Sequence, residues 1–222
     1  MSFIINPYLF VPAGGGQLLN EQFEAPGATG WTSTTTTPNV AWTSQYNTSP
    51  APLVGSYSGR IDGTTQQVNA QKTFTASGNV YCRFRVNHSR GPGGNGTLAT
   101  LRNSAGTVLA TFGIVNTSST SRAIPAGGST VNAATAPTLG TTYYCWFEYE
   151  KGTGANAIVR VGLSTSPTRP TWPASGASGF LAVSVNGTST SNADRIMFGT
   201  NTSVTNYSVI LDDIQIQSTP FA

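Results

Sequence analysis

Residues 141–163, TTYYCWFEYEKGTGANAIVRVGL, decide the fold. In the first half Cys145, Phe147 and Tyr149 fall on one side of an extended chain, and Tyr144, Trp146, Glu148 and Glu150 on the other. A period of two is the side-chain period of a β-strand; here it offers one face to a core and leaves the other open. Beyond Gly152 and Gly154 the apolar set returns as Val159, Val161 and Leu163, opposite Ile158, Arg160 and Gly162. The two halves therefore read as a hairpin. A register that keeps both apolar sets together puts Glu150 opposite Asn156, Phe147 opposite Val159 and Cys145 opposite Val161. Trp146 then lies beside Arg160, and Glu148 beside Ile158. Slipping by one residue would bury Arg160 against Phe147, at the cost of an unpaired charge in the core.

Residues 79–87, NVYCRFRVN, have the same character. Val80, Cys82, Phe84 and Val86 form an inner set; Tyr81, Arg83 and Arg85 form an outer one. If the two cysteine-bearing strands are neighbours, Arg83 and Arg85 are placed to pair with Glu148 and Glu150, at a few tenths of a kcal/mol for each exposed pair. The outer face of rings and charges, comprising Tyr81, Arg83, Arg85, Tyr144, Trp146, Glu148 and Arg160, is the candidate contact surface for a glycan or a protein partner. Trp172, in a loop bracketed by Pro170 and Pro173, joins it either as a platform for a sugar ring or as a pin for its own loop.

The rest of the 222 residues suits this reading. Charged residues make up only 9% of the chain, against roughly 25% in an average soluble domain, and Thr, Ser, Asn and Gly take their place. Many short strands with turn signals between them indicate an all-β, antiparallel two-sheet jelly-roll sandwich. Residues 17–222 read as one domain. Residues 1–16 read as an N-terminal docking arm, in which Phe3, Ile4, Ile5, Tyr8 and Phe10 precede a glycine run. The arm lacks the basic start and uninterrupted apolar core of a secretory signal. No stretch is long and apolar enough for a membrane helix. The net charge of +3 is scattered, so nucleic acid is not indicated as a partner. Cys82 and Cys145 are read as buried thiols in preference to a disulfide. Residues 56–62 and 66–74 read as a strand pair turning at Gly63. In the last strand Val209, Leu211, Asp213 and Gln215 alternate with Ile210, Asp212, Ile214 and Ile216.

Only eight acidic residues exist, so carboxylate chemistry can be audited in full. Glu148 and Glu150, two apart on one strand face, are the one candidate pair for a glycosidase. The arginines around them would hold both carboxyls ionised, whereas that chemistry needs one protonated acid. The single histidine, His88, stands beside a glycine-rich loop without a nucleophile motif. Catalytic residues are therefore expected to be absent. If the terminal strands pair, Glu21 or Glu24 would approach Asp212 or Asp213, and Glu24 with Asp213 would offer oxygen ligands to a structural calcium ion. No other cofactor is expected.

Three stretches, NEQFEAPGATGW at 20–31, TTYYCWFEYEKGTG at 141–154 and VILDDIQI at 209–216, resemble the N-terminal, central and closing strands of concanavalin A-like lectin/glucanase and laminin-G-like jelly rolls. The first and third are also similar to those of carbohydrate-binding modules with a galactose-binding-like jelly roll. The glucanases of that group carry a Glu-x-Asp-x-x-Glu strand. Here the strand runs Glu148-Tyr149-Glu150-Lys151-Gly152, so the resemblance does not extend to catalysis. The Asp- and Asn-rich metal loops of legume-type lectins are missing too. The opening SFIINPYLFVPAGGG, ahead of a jelly roll, resembles small virion proteins of tailed bacteriophages. This resemblance implies a non-enzymatic structural protein on a virion surface: a capsid decoration, head fibre or tail component. Its arm would dock on other virion subunits or on copies of itself, and its outer face would touch host glycans. The alternatives are a free carbohydrate-binding module and a glycoside hydrolase.

Overall fold

The computed structural model describes residues 16–24, 31–35, 41–46, 52–63, 68–90, 96–114, 120–200 and 207–222. The arm residues Phe3, Ile4, Ile5, Tyr8 and Phe10 lie outside them. Among the described residues the chain forms sixteen strands: β1 (Gln17–Glu21), β2 (Thr32–Thr35), β3 (Ala41–Tyr46), β4 (Ser58–Gly63), β5 (Val68–Ser77), β6 (Asn79–Arg90), β7 (Gly96–Arg102), β8 (Val108–Ile114), β9 (Ser121–Pro125), β10 (Val131–Asn132), β11 (Thr142–Glu150), β12 (Ala157–Ser164), β13 (Gly176–Ser178), β14 (Leu181–Gly187), β15 (Ala193–Thr200) and β16 (Tyr207–Gln217). Every pairing is antiparallel. One sheet runs β13-β14-β12-β11-β6-β16-β4-β3, with β1 also on β16; the other runs β10-β9-β8-β7-β15-β5-β2. The two sheets close over one apolar core, as the alternation requires.

The inner set is the expected one. Val80, Cys82, Phe84 and Val86 of β6 and Cys145, Phe147 and Tyr149 of β11 are all buried in that core. The two strands pair directly, with Phe147 opposite Cys82 and Cys145 opposite Phe84. Both cysteines are free thiols, and burial pushes both of their pKa values up. Across the sandwich Phe112 of β8 meets Phe147 edge-on with ring centroids 6.1 Å apart, and Phe198 of β15 meets Phe84 at 5.0 Å.

Three details depart from the sequence reading. The β11–β12 register is offset by two residues: Glu150 faces Ile158, Phe147 faces Val161 and Cys145 faces Leu163. A shift of two keeps every side chain on its face, so patterning cannot detect it. It lengthens the connection, in which the Thr153 amide donates to Asn156 and the Gly152 amide to the Ser189 carbonyl. A Cβ on Gly152 would lie 2.5 Å from the Ala157 nitrogen, so this approach requires glycine. It also brings Glu148 opposite Arg160.

The second departure is in β16. Its inner residues are Val209, Leu211, Ile214 and Ile216, so the alternation changes phase between Leu211 and Ile214. A bulge at Asp212–Gln215 inserts one extra residue against β6, and Asp213 takes a left-handed φ of 47° there. The bulge lies where the neighbour of β16 changes from β4, paired along Tyr207–Leu211, to β1, paired along Ile214–Gln217. Third, β4 and β5 are not a hairpin pair. β4 lies between β3 and β16 in one sheet, and β5 between β15 and β2 in the other.

The bulge leaves Asp212 fully buried. Its carboxyl accepts from the Val54 amide at 2.9 Å, the Ser58 hydroxyl at 2.7 Å and the Asp213 amide at 2.8 Å. Burial outweighs these bonds and, with the charge of Asp213 adding to it, raises the pKa from 3.8 to about 7. The folded chain thus keeps a proton that the unfolded chain loses. Stability contributed by this group falls as pH rises from 3.8 to about 7, with a slope approaching about 1.4 kcal/mol per pH unit mid-window. Denaturation across that range should show this decline in the parent and a flatter profile in Asp212→Asn. Identical profiles would remove Asp212 from the account.

Candidate functional site

The outer face of the larger sheet is a lattice of arginines and rings. Cross-strand pairing sets Tyr81 beside Glu148, Arg83 beside Trp146 and Arg85 beside Tyr144. The Arg85 guanidinium lies 4.8 Å from the centre of the Tyr144 ring and donates to its hydroxyl at 2.7 Å. Arg83 donates to Gln215 at 3.0 Å and stands 3.7 Å from Asp213. The arginines of β6 therefore do not pair with Glu148 and Glu150. Those carboxylates are taken from β12 and from the loop that follows it.

Glu148 is fully buried and is the anchor of the site. Arg169 grips it through two parallel bonds, Nε and Nη2 each 2.7 Å from a carboxylate oxygen. The Trp172 indole donates to it at 3.0 Å, and Arg160 approaches at 3.4 Å. Arg160 also reaches Glu150 at 2.5 Å, and the Tyr81 hydroxyl donates to Glu150 at 3.2 Å. Burial, with the charge of Glu150 added, pushes the Tyr81 phenol up to about 12, so it remains a donor. The bonds to Glu148 raise the pKa of Arg169. Residues 165–175 are thus fastened over the sheet by one carboxylate. Gly162 makes room for them, because a Cβ there would lie 3.2 Å from the Trp172 ring and 2.4 Å from Leu181.

Trp172 is therefore a pin. It is also a wall: Arg160, Arg169, Trp172, Pro173 and Phe221 line an open cleft of about 550 Å³ on this face. Trp146 points away from the inter-sheet core, as its parity requires, yet it is fully buried. The ring of Phe221 stands edge-on to it at 5.5 Å, and the Arg83 guanidinium lies 5.3 Å from that ring. The expectation of an open contact face is corrected accordingly. Trp146, Glu148 and Tyr81 are covered, while Arg83, Arg85, Tyr144, Arg160 and Trp172 remain partly accessible. Arg169 and Phe221 were not found from sequence, because neither belongs to a periodic segment. The prolines at 167, 170 and 173 mark an irregular loop without saying what it covers.

Glu24 and Asp213 are engaged with different partners. The Glu24 carboxylate accepts from the Ser56 amide at 3.0 Å, whereas Asp213 bonds Gln215 and faces Arg83. The terminal strands do pair, with Glu21 opposite Ile214. Glu21 spends its carboxylate on Lys72 at 2.6 Å and on the Trp31 indole at 3.0 Å. Among the described residues no group of three or more His, Cys, Asp or Glu side chains could hold a metal ion, and no helix is long and apolar enough to cross a membrane.

No family model matches the sequence, and no curated protein matches it either. Solved structures share its fold. An endo-β-1,4-glucuronan lyase from the fungus Trichoderma reesei superposes with a TM-score of 0.60 at 12% identity, covering 90% of this chain and 95% of that one. Cellulose induced protein Cip1 gives 0.58 at 18% identity, with 92% and 99% covered. The CBM2 module of the evolved Dit of Lactobacillus casei BL23 phage J-1 gives 0.53 at 13% identity, with 93% and 98% covered. The chain is thus an antiparallel β-sandwich of the kind found in carbohydrate-active and carbohydrate-binding proteins. The expectation of a protein without catalytic activity is corrected here. A polysaccharide lyase is built on this fold, so the fold does not set catalysis aside.

Proposed function

We propose that the chain is a glycan-recognition sandwich at a virion surface, and that it takes an acidic, uronate-bearing polysaccharide in the cleft between residues 165–175 and Phe221. The carrying observation is the cleft itself. Two arginines and two aromatic rings converge on about 550 Å³ at the outer face, and the buried Glu148 fixes the loop that supplies Arg169 and Trp172. That volume suits a few sugar units. Arginines recognise carboxylates in a planar, two-bonded manner, and aromatic rings pack on apolar sugar faces. Arg160 and Arg169 both line the cleft, so an anionic ligand meets two guanidinium groups there. The virion assignment is supported by the resemblance of residues 2–16 to phage structural proteins and by the likeness to a phage Dit module. On this reading Phe3, Ile4, Ile5, Tyr8 and Phe10 dock the domain to its assembly.

A second reading is favoured by the Arg85–Tyr144 pair. The Tyr144 oxygen, its own proton given up to solvent, could take the proton next to a uronate carboxylate while the Arg85 guanidinium offsets the charge that develops there. The bond to the leaving glycosidic oxygen then breaks as a carbon–carbon double bond forms, and the proton that Tyr144 has taken passes to that oxygen. One experiment covers both readings: oligoglucuronate, oligoalginate and a neutral cello-oligosaccharide are titrated by calorimetry, and ultraviolet absorbance is followed for an unsaturated product. Binding of an acidic oligosaccharide, weakened at least tenfold in a folded Arg160→Gln variant, is the expected result. Equal affinity for the neutral chain, or no loss in the variant, would overturn the assignment of this cleft. Product formation abolished by Tyr144→Phe would establish the second reading.

A further inference from the structure

Trp146 is fully buried, yet its indole N–H has no hydrogen-bond partner. Nε of Arg83, beside it, is buried and equally unsatisfied. A buried polar group without a partner destabilises the fold and favours any ligand that can accept from it. These two do not belong to the inter-sheet core. They lie on the outer face, and the ring of Phe221, which also lines the cleft, packs against both side chains. Phe221 can fill the space apolarly, but it can accept no hydrogen bond from either donor.

We propose that Phe221 occupies a saccharide subsite, and that a sugar unit of the bound glycan displaces it to lie against Trp146. The inference rests on the glycan reading and extends the cleft along the sheet toward Arg85. The chemistry of the pocket matches a pyranose better than a phenyl ring. Its apolar face packs on the indole, and its hydroxyl and ring oxygens accept from the Trp146 N–H and the Arg83 Nε–H. A uronate carboxylate then meets the Arg83 guanidinium, which Asp213 holds only loosely at 3.7 Å. Phe221 itself is only half-buried. Upstream the backbone is tied at Ser218, whose amide donates to the Gly16 carbonyl at 2.8 Å.

An edge-on aromatic contact with its cation–π partner is of the size that shifts affinity about threefold to tenfold when it no longer competes. The test uses the full chain and the same acidic oligosaccharides. Phe221→Ala should bind them about threefold to tenfold more tightly than the parent, and Trp146→Phe should cancel that gain. Acrylamide quenching of tryptophan fluorescence should rise in Phe221→Ala without ligand and fall again on saturation, and this change should be absent when Trp146→Phe is added. Unchanged or weakened binding in Phe221→Ala, with the parent still binding, would overturn the subsite and leave the cleft standing. Failure of both parent and Phe221→Ala to bind would overturn the subsite and the glycan reading together.

Discussion

Replacing Arg169 with alanine should lower the unfolding free energy by about 3 kcal/mol and loosen residues 165–175, leaving Trp172 as their tie to Glu148. The reason lies in what the change leaves behind. Glu148 has no exposed surface, and Arg169 supplies its two shortest bonds. Without them the carboxylate keeps the Trp172 indole at 3.0 Å and Arg160 at 3.4 Å, and the second of these is already committed to Glu150. A buried charge deprived of a partner costs more than the pair contributed, with a usual range of about 3–5 kcal/mol. The two remaining donors hold the expected loss to the low end. If the uncompensated charge is the cause, Glu148→Gln placed on top of Arg169→Ala should restore a large part of the stability, because a neutral amide tolerates burial better. Denaturant titration of the two single variants and the double variant forms the cycle, and limited proteolysis within 165–175 reports the loop. Strict additivity of the two changes would show that the charge is not what fastens the loop.

The cycle also marks where sequence reading stops. The inner faces of the two cysteine-bearing strands were legible, because alternation is written residue by residue in Cys145, Phe147 and Tyr149 and in Val80, Cys82 and Phe84, whereas their direct pairing entered the sequence reading only as a condition. Register was legible only modulo two: pairing Phe147 with Val159 or with Val161 exposes and buries the same side chains. The phase change in β16 was hidden because its bulge uses Asp213 at positive φ, where a glycine would have signalled it. The outer face suffered most. Its residues were identified by parity, but parity cannot say that Arg169 and Phe221, which obey no period, would be laid across Glu148 and Trp146. Loops that cover a sheet are tertiary decisions. The sequence cue to this one is indirect: an arginine and a tryptophan among three prolines, opposite a strand glycine at 162 whose missing side chain leaves the space they fill.

Phe147→Ala should cost about 3–5 kcal/mol, the usual penalty for deleting a buried aromatic side chain. Phe147 has no exposed surface and stands between Cys82 and Val161 on its own sheet, with Phe112 edge-on at 6.1 Å on the other. Collapse into the void would need one sheet to move toward the other. Both are held by strands on each side of the gap, so most of the cavity stays open. Phe147→Leu, which keeps much of the volume, should lose distinctly less, about 1.5 kcal/mol. The neighbouring thiols supply an independent readout. Cys82 and Cys145 are buried with raised pKa values, so neither presents a thiolate to a disulfide reagent until the sandwich opens. Their labelling then follows the open population, and a loss of about 3 kcal/mol should speed it roughly a hundredfold. Rapid labelling in the parent would mean the sheets breathe far more than their packing implies. A loss below about 1 kcal/mol in Phe147→Ala, against the usual penalty for such a site, would contradict its place between the sheets and, with it, the assignment of Trp146 and Glu148 to the outer face.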